Sequence, residues 1–421
     1  MAKQLPFVFT GMAAGAALAL LAAQIPFNAV AKSSGHAEEY RVLELFDDAF
    51  EQVRQNYVEK PDDNKLIENA INGMMAALGD SYYLDDKAES HTIACTAGTK
   101  GCPPDADVGL RFTIADGLPK IITAIDGSPA AKAGLMTGDI ITTIDDQPLD
   151  GLTAYQISQM LGGEAGSKVN LIVARLGRDK PLNLTLTRDH ITARSVRSQV
   201  QGGDIGYIRI VQFNNKTGDE LKQAIDDIAN AVPADKLKGY VIDLRNNPGG
   251  ALDGAVAASD DFLQSGDIVS IGGRSAARAK PIPVKPSDLS HGKRVVVLIN
   301  AGSAATAEVV AGALQDNHRA TLIGTRTYGA GTVLTELSLG RGQGALRLAT
   351  EQYFTPSGHP ITAKGISPDI EVAQDAPDTA KSAVNVSGAK KPILQSYIPS
   401  DPSADKALNR AYAELRGTHA N

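Results

Sequence analysis

The chain has 421 residues, 43% of them hydrophobic and 21% charged, with a formal net charge of −7. That length leaves room for two or three domains with buried cores. The acidic balance excludes a general nucleic-acid binder, which needs a basic surface. Forty-one glycines and no Trp point instead to many tight turns and close backbone approaches.

In chain order, Lys3 is followed by no further charge until Lys32, and "GMAAGAALALLAAQIPFNAV" lies between them. This reads as a secretory signal over residues 1–31, ending at the small-residue site Ala29-Val30-Ala31, or as an uncleaved membrane anchor over residues 6–30. Either way the folded part sits outside the cytoplasm, in a periplasm or cell envelope. A helical segment is expected over 38–105. Leu43, Phe46, Phe50, Val53 and Tyr57 recur at helical spacing, and "NKLIENAINGMMAAL" continues as a second helix. Cys95 and Cys102 close this segment in "CTAGTKGC". In an exported chain they read as a disulfide worth the low end of about 2–4 kcal/mol, with two buried thiols as the alternative. Two thiols with no nearby His cluster do not complete a tetrahedral metal site, and no cofactor is implied.

From 106 to 188 short strands take over: "VGLRFTI", "PKIITAI", "DIITTID", "KVNLIVAR" and "LNLTLTR". A helix begins at the N-cap Thr153. The turn order in "GSPAAKAGLMTGDIITTIDDQPL" resembles a PDZ domain. That resemblance implies a groove in which a polypeptide C-terminus adds as a strand and backbone N–H groups hold its carboxylate. Gly109, Leu110, Arg111 and Phe112 would enter the edge strand, and Ile157 and Leu161 would line the helix side. A closed β-rich domain with a blocked edge is the alternative.

Strands and helices then alternate from 204 to about 375, which argues an α/β layer within an α/β multidomain chain. The core is assigned to 189–375, a loose linker to 376–391, and a helical tail to 392–421, with Leu408, Tyr412 and Leu415 on one face.

Four stretches in order, "VIDLRNNPGG" (241–250), "NAGSAATAEVVAGALQD" (300–316), "GTRTYGAGTVL" (324–334) and "YFTPSGHPITAKGISPDI" (353–370), resemble the C-terminal processing, or tail-specific, proteases. The resemblance implies a core of the ClpP/crotonase type. It also implies a serine nucleophile, a lysine base and a glutamine that orients the lysine. A serine hydroxyl attacks only when a base takes its proton, and a lysine serves only when a dry site depresses its pKa. Laid on this chain, the serine position is Ala305, the lysine position Ala330 and the glutamine position Leu334. All three are apolar, which reads as replacement of a buried polar network as a unit. Ser303 and Thr306 flank Ala305 and are the fallback nucleophiles, yet no lysine lies between Arg294 and Ala363. His318 and His359 read as solvated loop residues. The resemblance makes Gly249 and Gly250 an oxyanion-hole-like pair, and a tight turn needing positive φ would explain them equally well.

The expectation is therefore a catalytically inactive homologue that binds polypeptide C-termini and pairs with or regulates an active protease paralogue. The alternative is an active serine peptidase with relocated groups. A structural envelope protein is a third reading. The helices at 40–58 and 403–416 would serve either as homo- or hetero-dimer contacts or as packing on the chain's own core.

Overall fold

The computed structural model describes residues 36–78, 81–84, 106–175, 178, 180–191, 195–273, 279–340, 343–375, 396–399 and 401–418. The leader, Cys95, Cys102 and the linker 376–391 lie outside them. The chain divides into a first unit ending at Asn69 and a second from Ala70 onward. In the first unit, α1 (His36–Asn56) is followed by α2 (Asp63–Ala76), which runs on past Asn69. On α1, Val42, Leu43, Leu45, Phe46 and Val53 are exposed, and Phe46 stacks on Phe50.

After the end of α2, the second unit continues with β1 (Tyr82–Leu84) and then builds the PDZ-like domain. Its strands are β2 (Leu110–Ala115), β3 (Leu118–Ala124), β4 (Ile140–Ile144), β5 (Gln147–Pro148), β6 (Lys168–Ala174) and β7 (Leu182–Thr187). Two helices interrupt them: the single turn α3 (Pro129–Lys132), capped by Ser128, and α4 (Ala154–Leu161). Thr153 caps α4 as expected, and its partner Gln156 completes a capping box. The sheet runs β2-β3-β4-β6-β7, so β2 is an edge strand. Ile157 and Leu161 do not line a groove. They are 0% and 4% exposed and belong to the domain core with Leu110, Ile121 and Val169. Residues four apart share one helix face, and on this short helix that face is the one the core takes. Phe112 is half-buried and Arg111 exposed.

The α/β core alternates β8 (Val196–Gln201), β9 (Ile205–Ile210), α5 (Thr217–Ala231), β10 (Gly239–Asp243), α6 (Leu252–Asp260), β11 (Asp267–Gly272) and β12 (Lys280–Pro283). Then come β13 (Arg294–Ile299), α7 (Thr306–Asp316), β14 (Ala320–Gly324), β15 (Thr332–Ser338), β16 (Ala345–Phe354), β17 (Ile370–Glu371) and α8 (Lys406–Arg416). One sheet has the order β17-β14-β13-β10-β9-β8, parallel except for β8. Helices α5, α6 and α7 cover one face through Leu221, Ile225, Ala258 and Val310, and α8 covers the other through Leu408, Ala411, Tyr412 and Leu415. Covering on both faces explains why β10 is buried at every residue and reads as an apolar run. The apolar face of α8 is therefore occupied by its own sheet rather than offered to a partner.

A second sheet, β1-β16-β11-β12 with β15 also on β16, was not expected from the sequence. It joins strands from three distant parts of the chain: β1, the β11–β12 pair and the β15–β16 hairpin. Together the elements form N-terminal helices, a PDZ domain and a mixed α/β core.

Candidate functional site

Three turns meet at the end of the parallel sheet. The first follows β10. Asn247, fully buried, donates from Nδ2 to the Ile210 carbonyl and accepts the Gly249 N–H on Oδ1 at 2.8 Å. Gly249 and Gly250 have φ of 93° and 135°. A Cβ on Gly250 would fall 2.0 Å from the Phe213 carbonyl oxygen, and one on Gly249 would lie 2.8 Å from the Ala305 Cβ and 2.9 Å from the Thr306 nitrogen. Both the turn and the close approach therefore require glycine.

The second turn joins β13 to α7. Asn300 Oδ1 accepts from the N–H groups of Asn246 and Gly302, and its Nδ2 donates to Asn246 Oδ1. Ala305 stands at the head of α7 with φ 51° and ψ −118°. This is left-handed space that a residue with a Cβ occupies only under constraint. It is the same kind of strained strand-to-helix turn by which hydrolases present a nucleophile. What it presents here is a half-buried methyl group.

The third turn, Thr325 to Gly331, carries Ala330. Its Tyr328 N–H donates to the Ser303 carbonyl, and its Gly329 carbonyl accepts from the Ala363 N–H. Glu308 ties this turn to the second one. Its Oε2 accepts from Ala305 N–H and Ala330 N–H, both at 2.9 Å, and its Oε1 accepts from Gly329 N–H and the Thr327 hydroxyl. The carboxylate is fully buried. Burial pushes it up to about 7, and the four hydrogen bonds only partly offset that.

These contacts decide the candidates one by one. Ser303 is fully buried; its hydroxyl donates to the Leu244 carbonyl at 2.8 Å and accepts the Asn300 N–H at 3.0 Å. It locks the first turn to the second and has no face toward a substrate. Thr306 is buried, with its hydroxyl 3.4 Å from the Gly250 carbonyl. Leu334 fills no pocket. It sits on β15 opposite Ala349, just past a bulge, and is 40% exposed. His318 and His359 are exposed. The His359 Nδ1 meets the Ser357 hydroxyl, which donates to Asp316 at the far end of α7. At 1.5 Å rise per residue, that end is about 15 Å from Ala305. Of the oxyanion-hole-like pair, the Gly249 N–H is already taken by Asn247. The N–H groups of Gly250 and Thr306 have no hydrogen-bond partner among the described residues. They flank the Gly249–Ala305 contact, and two free amides are what an oxyanion or a carboxylate oxygen needs.

Sequence reading missed a buried ionic network beside this site. Asp243 is bonded by Arg209, Arg245 and the Tyr207 hydroxyl, and Arg245 also pairs with Asp405 at the head of α8. Burial alone would raise the Asp243 pKa, but the two guanidinium groups hold it far below the carboxylate range. Burial and Asp243 together push Tyr207 far up. Arg209 also reaches Asp126 of the PDZ domain at 2.7 Å, tying that domain to the core. The only sequence signal was the string of charges in "VIDLR", an apolar strand that a surface would not need.

Residues 204–372 match peptidase family S41, residues 121–175 match a PDZ domain, and residues 11–88 match the N-terminal domain of the activating protease CtpB. Over its whole length the chain is 42% identical to a carboxy-terminal-processing protease of Bartonella bacilliformis, covering 98% of that protein. It is 33% identical to the carboxy-terminal processing protease CtpA of Bacillus subtilis, over 79% of this chain and 69% of that one. The solved photosystem II D1 C-terminal processing protease superposes with a TM-score of 0.64 at 27% identity, covering 81% of this chain and 94% of that one. The chain belongs to the carboxy-terminal-processing serine proteases of peptidase family S41.

Proposed function

We propose that this member of the family is a pseudoprotease: it holds polypeptide C-termini and does not cut them. The observation that carries the reading is Ala305. The strained turn, the glycine contact and the two free amides are all in place, and the side chain at their centre has no atom that can attack a carbonyl. Neither fallback nucleophile repairs this. Ser303 is committed to Leu244, and no lysine stands at position 330 to take a proton. Losing nucleophile and base together leaves no route through an acyl-enzyme.

Two places can hold a tail. The PDZ edge strand β2 offers backbone pairing, and the Gly250 and Thr306 amides offer an anchor for a terminal carboxylate. The apolar leader and the pair Cys95 and Cys102 favour an exported protein of the periplasm or cell envelope, with a disulfide between them. Its role there is to shield or present tails, or to regulate an active paralogue, with homo- or hetero-dimerisation through α1. No metal or cofactor enters this reading.

The test is binding set against cleavage. The purified chain is incubated with a library of peptides differing at their C-termini, and the retained and released species are identified by mass spectrometry. Retention of intact peptides that is lost on C-terminal amidation supports the reading. Shortened products would return the chain to the active proteases. No retention at all would favour a structural envelope role with a blocked groove.

A further inference from the structure

A cavity of about 730 Å³ lies between the PDZ domain, the open end of the core sheet along β8, and a short irregular piece of the C-terminal tail, Ser396–Pro399. Through Ser396 that piece bridges two domains. The Ser396 hydroxyl accepts the N–H of Thr137, in the PDZ turn ahead of β4, at 3.2 Å. The Ser396 carbonyl accepts from Asn300 Nδ2 at 3.2 Å. Asn300 is the hub of the turn that carries position 305, holding Asn246 and Gly302 through its other oxygen. Ser396 is only 8% exposed, so both bonds are sheltered from water. Downstream, Asp405 pins the tail to Arg245 at 2.7 Å and accepts from Gln374.

We propose that Ser396–Pro399 is an interdomain strap. It fixes the PDZ domain against the Asn300 turn and closes the cavity, and its release is the step that frees the PDZ domain from the core. Among the described residues, side chains also tie the domains through the Arg209–Asp126 pair, the 3.4 Å contact of the Thr123 hydroxyl with the Asn246 carbonyl, and the stacking of Tyr155 of α4 on Tyr82 of β1, ring centroids 6.4 Å apart. Asp126 is partly exposed, so that ion pair alone is a weak restraint. The strap is the tie that runs through Ser396 from the PDZ turn to the Asn300 turn, and so it fixes how the domain taken above to bind tails faces that turn. The consequence for binding rests on that reading; the strap itself can be tested without a ligand.

The chain contains no Trp, so Tyr397→Trp places a single indole in the strap. In the full-length protein this indole is expected to be shielded from acrylamide. Adding Ser396→Ala should raise its quenching and speed hydrogen exchange across 121–137, about tenfold at the Thr137 amide. If Ser396→Ala leaves the strap seated, Ser396→Glu displaces it, because a carboxylate cannot be buried against the Asn300 turn unpaired. An indole as exposed in the parent as in a free peptide would overturn the proposal. So would a displaced strap with exchange across 121–137 unchanged. A C-terminal peptide titrated into the same samples tests the tail-binding reading separately, since a failure to bind leaves the exchange result intact.

Discussion

One oxygen of Glu308 accepts hydrogen bonds from Ala305 N–H and Ala330 N–H, each at 2.9 Å. A single buried carboxylate thus holds together the two positions where the family resemblance puts serine and lysine. The same carboxylate also accepts from Gly329 N–H and the Thr327 hydroxyl, so it fixes both turns at once.

Glu308→Ala leaves four donors without an acceptor in a dry interior. The expected loss is at least about 3 kcal/mol. Chemical denaturation measures it, and hydrogen exchange should quicken first at the amides of Ala305, Gly329 and Ala330. A loss below about 1 kcal/mol would show that the three turns hold together without it.

The pH dependence has a definite sign. Burial raises Glu308 to about 7 and Asp261 to about 7, from ordinary values of 4.5 and 3.8. The folded state binds these protons more tightly, so both groups lower stability as pH rises from about 4 to 7, with the penalty fully present above that. Asp261 is almost fully buried and its Oδ2 has no partner among the described residues. Asp261→Asn should therefore raise stability at pH 8 by on the order of 1–3 kcal/mol and change little at pH 4. Asp243 works the other way: its depressed pKa contributes stability above the ordinary carboxylate range that is lost only in strong acid. Thermal melts of wild type and Asp261→Asn across that range decide the sign.

Ile157→Ala separates core from groove. Because Ile157 is fully buried among the PDZ strands, the substitution should cost about 2–5 kcal/mol of stability. Any peptide binding should persist in the folded fraction. A loss of binding with stability unchanged would restore Ile157 to the groove.

Restoring Ala305→Ser, Ala330→Lys and Leu334→Gln together should recover weak cleavage of a peptide substrate, while each single change recovers almost none, because such groups act as one unit. Recovery should stay partial. Leu334 is 40% exposed on β15, so a glutamine there must turn in from solvent before it can orient the lysine. Full activity in the triple variant would show that the hairpin already points inward.

The legible parts of the fold were those written in local pattern. The buried run around Val241 and Ile242, the Thr153 cap and the Leu408–Tyr412–Leu415 face each follow from the few residues around them. The second sheet was not legible, because β1 has three residues and pairs with β16 more than 260 positions away. β15 and the first half of β16 carry Thr, Glu and Arg among half-exposed residues and give no clean apolar alternation. At the site, the motifs pointed to Ala305 and Ala330, and both lie in turns held by Glu308. Leu334 misled because an apolar residue suggests a pocket, and Ser303 misled because a hydroxyl beside a nucleophile position suggests chemistry. Its carbonyl partner, Leu244, is 59 residues away. Beyond the charges within "VIDLR", the Asp243–Arg209–Arg245 network left no mark in the sequence, because buried charge depends on long-range pairing.

The central claim is that no serine in this chain can be acylated. Incubating the wild-type protein and the triple variant side by side with a serine-reactive fluorophosphonate tests it directly. The account predicts no label on the wild type and label on Ser at position 305 of the variant. Stoichiometric labelling of the wild type at any serine would contradict it.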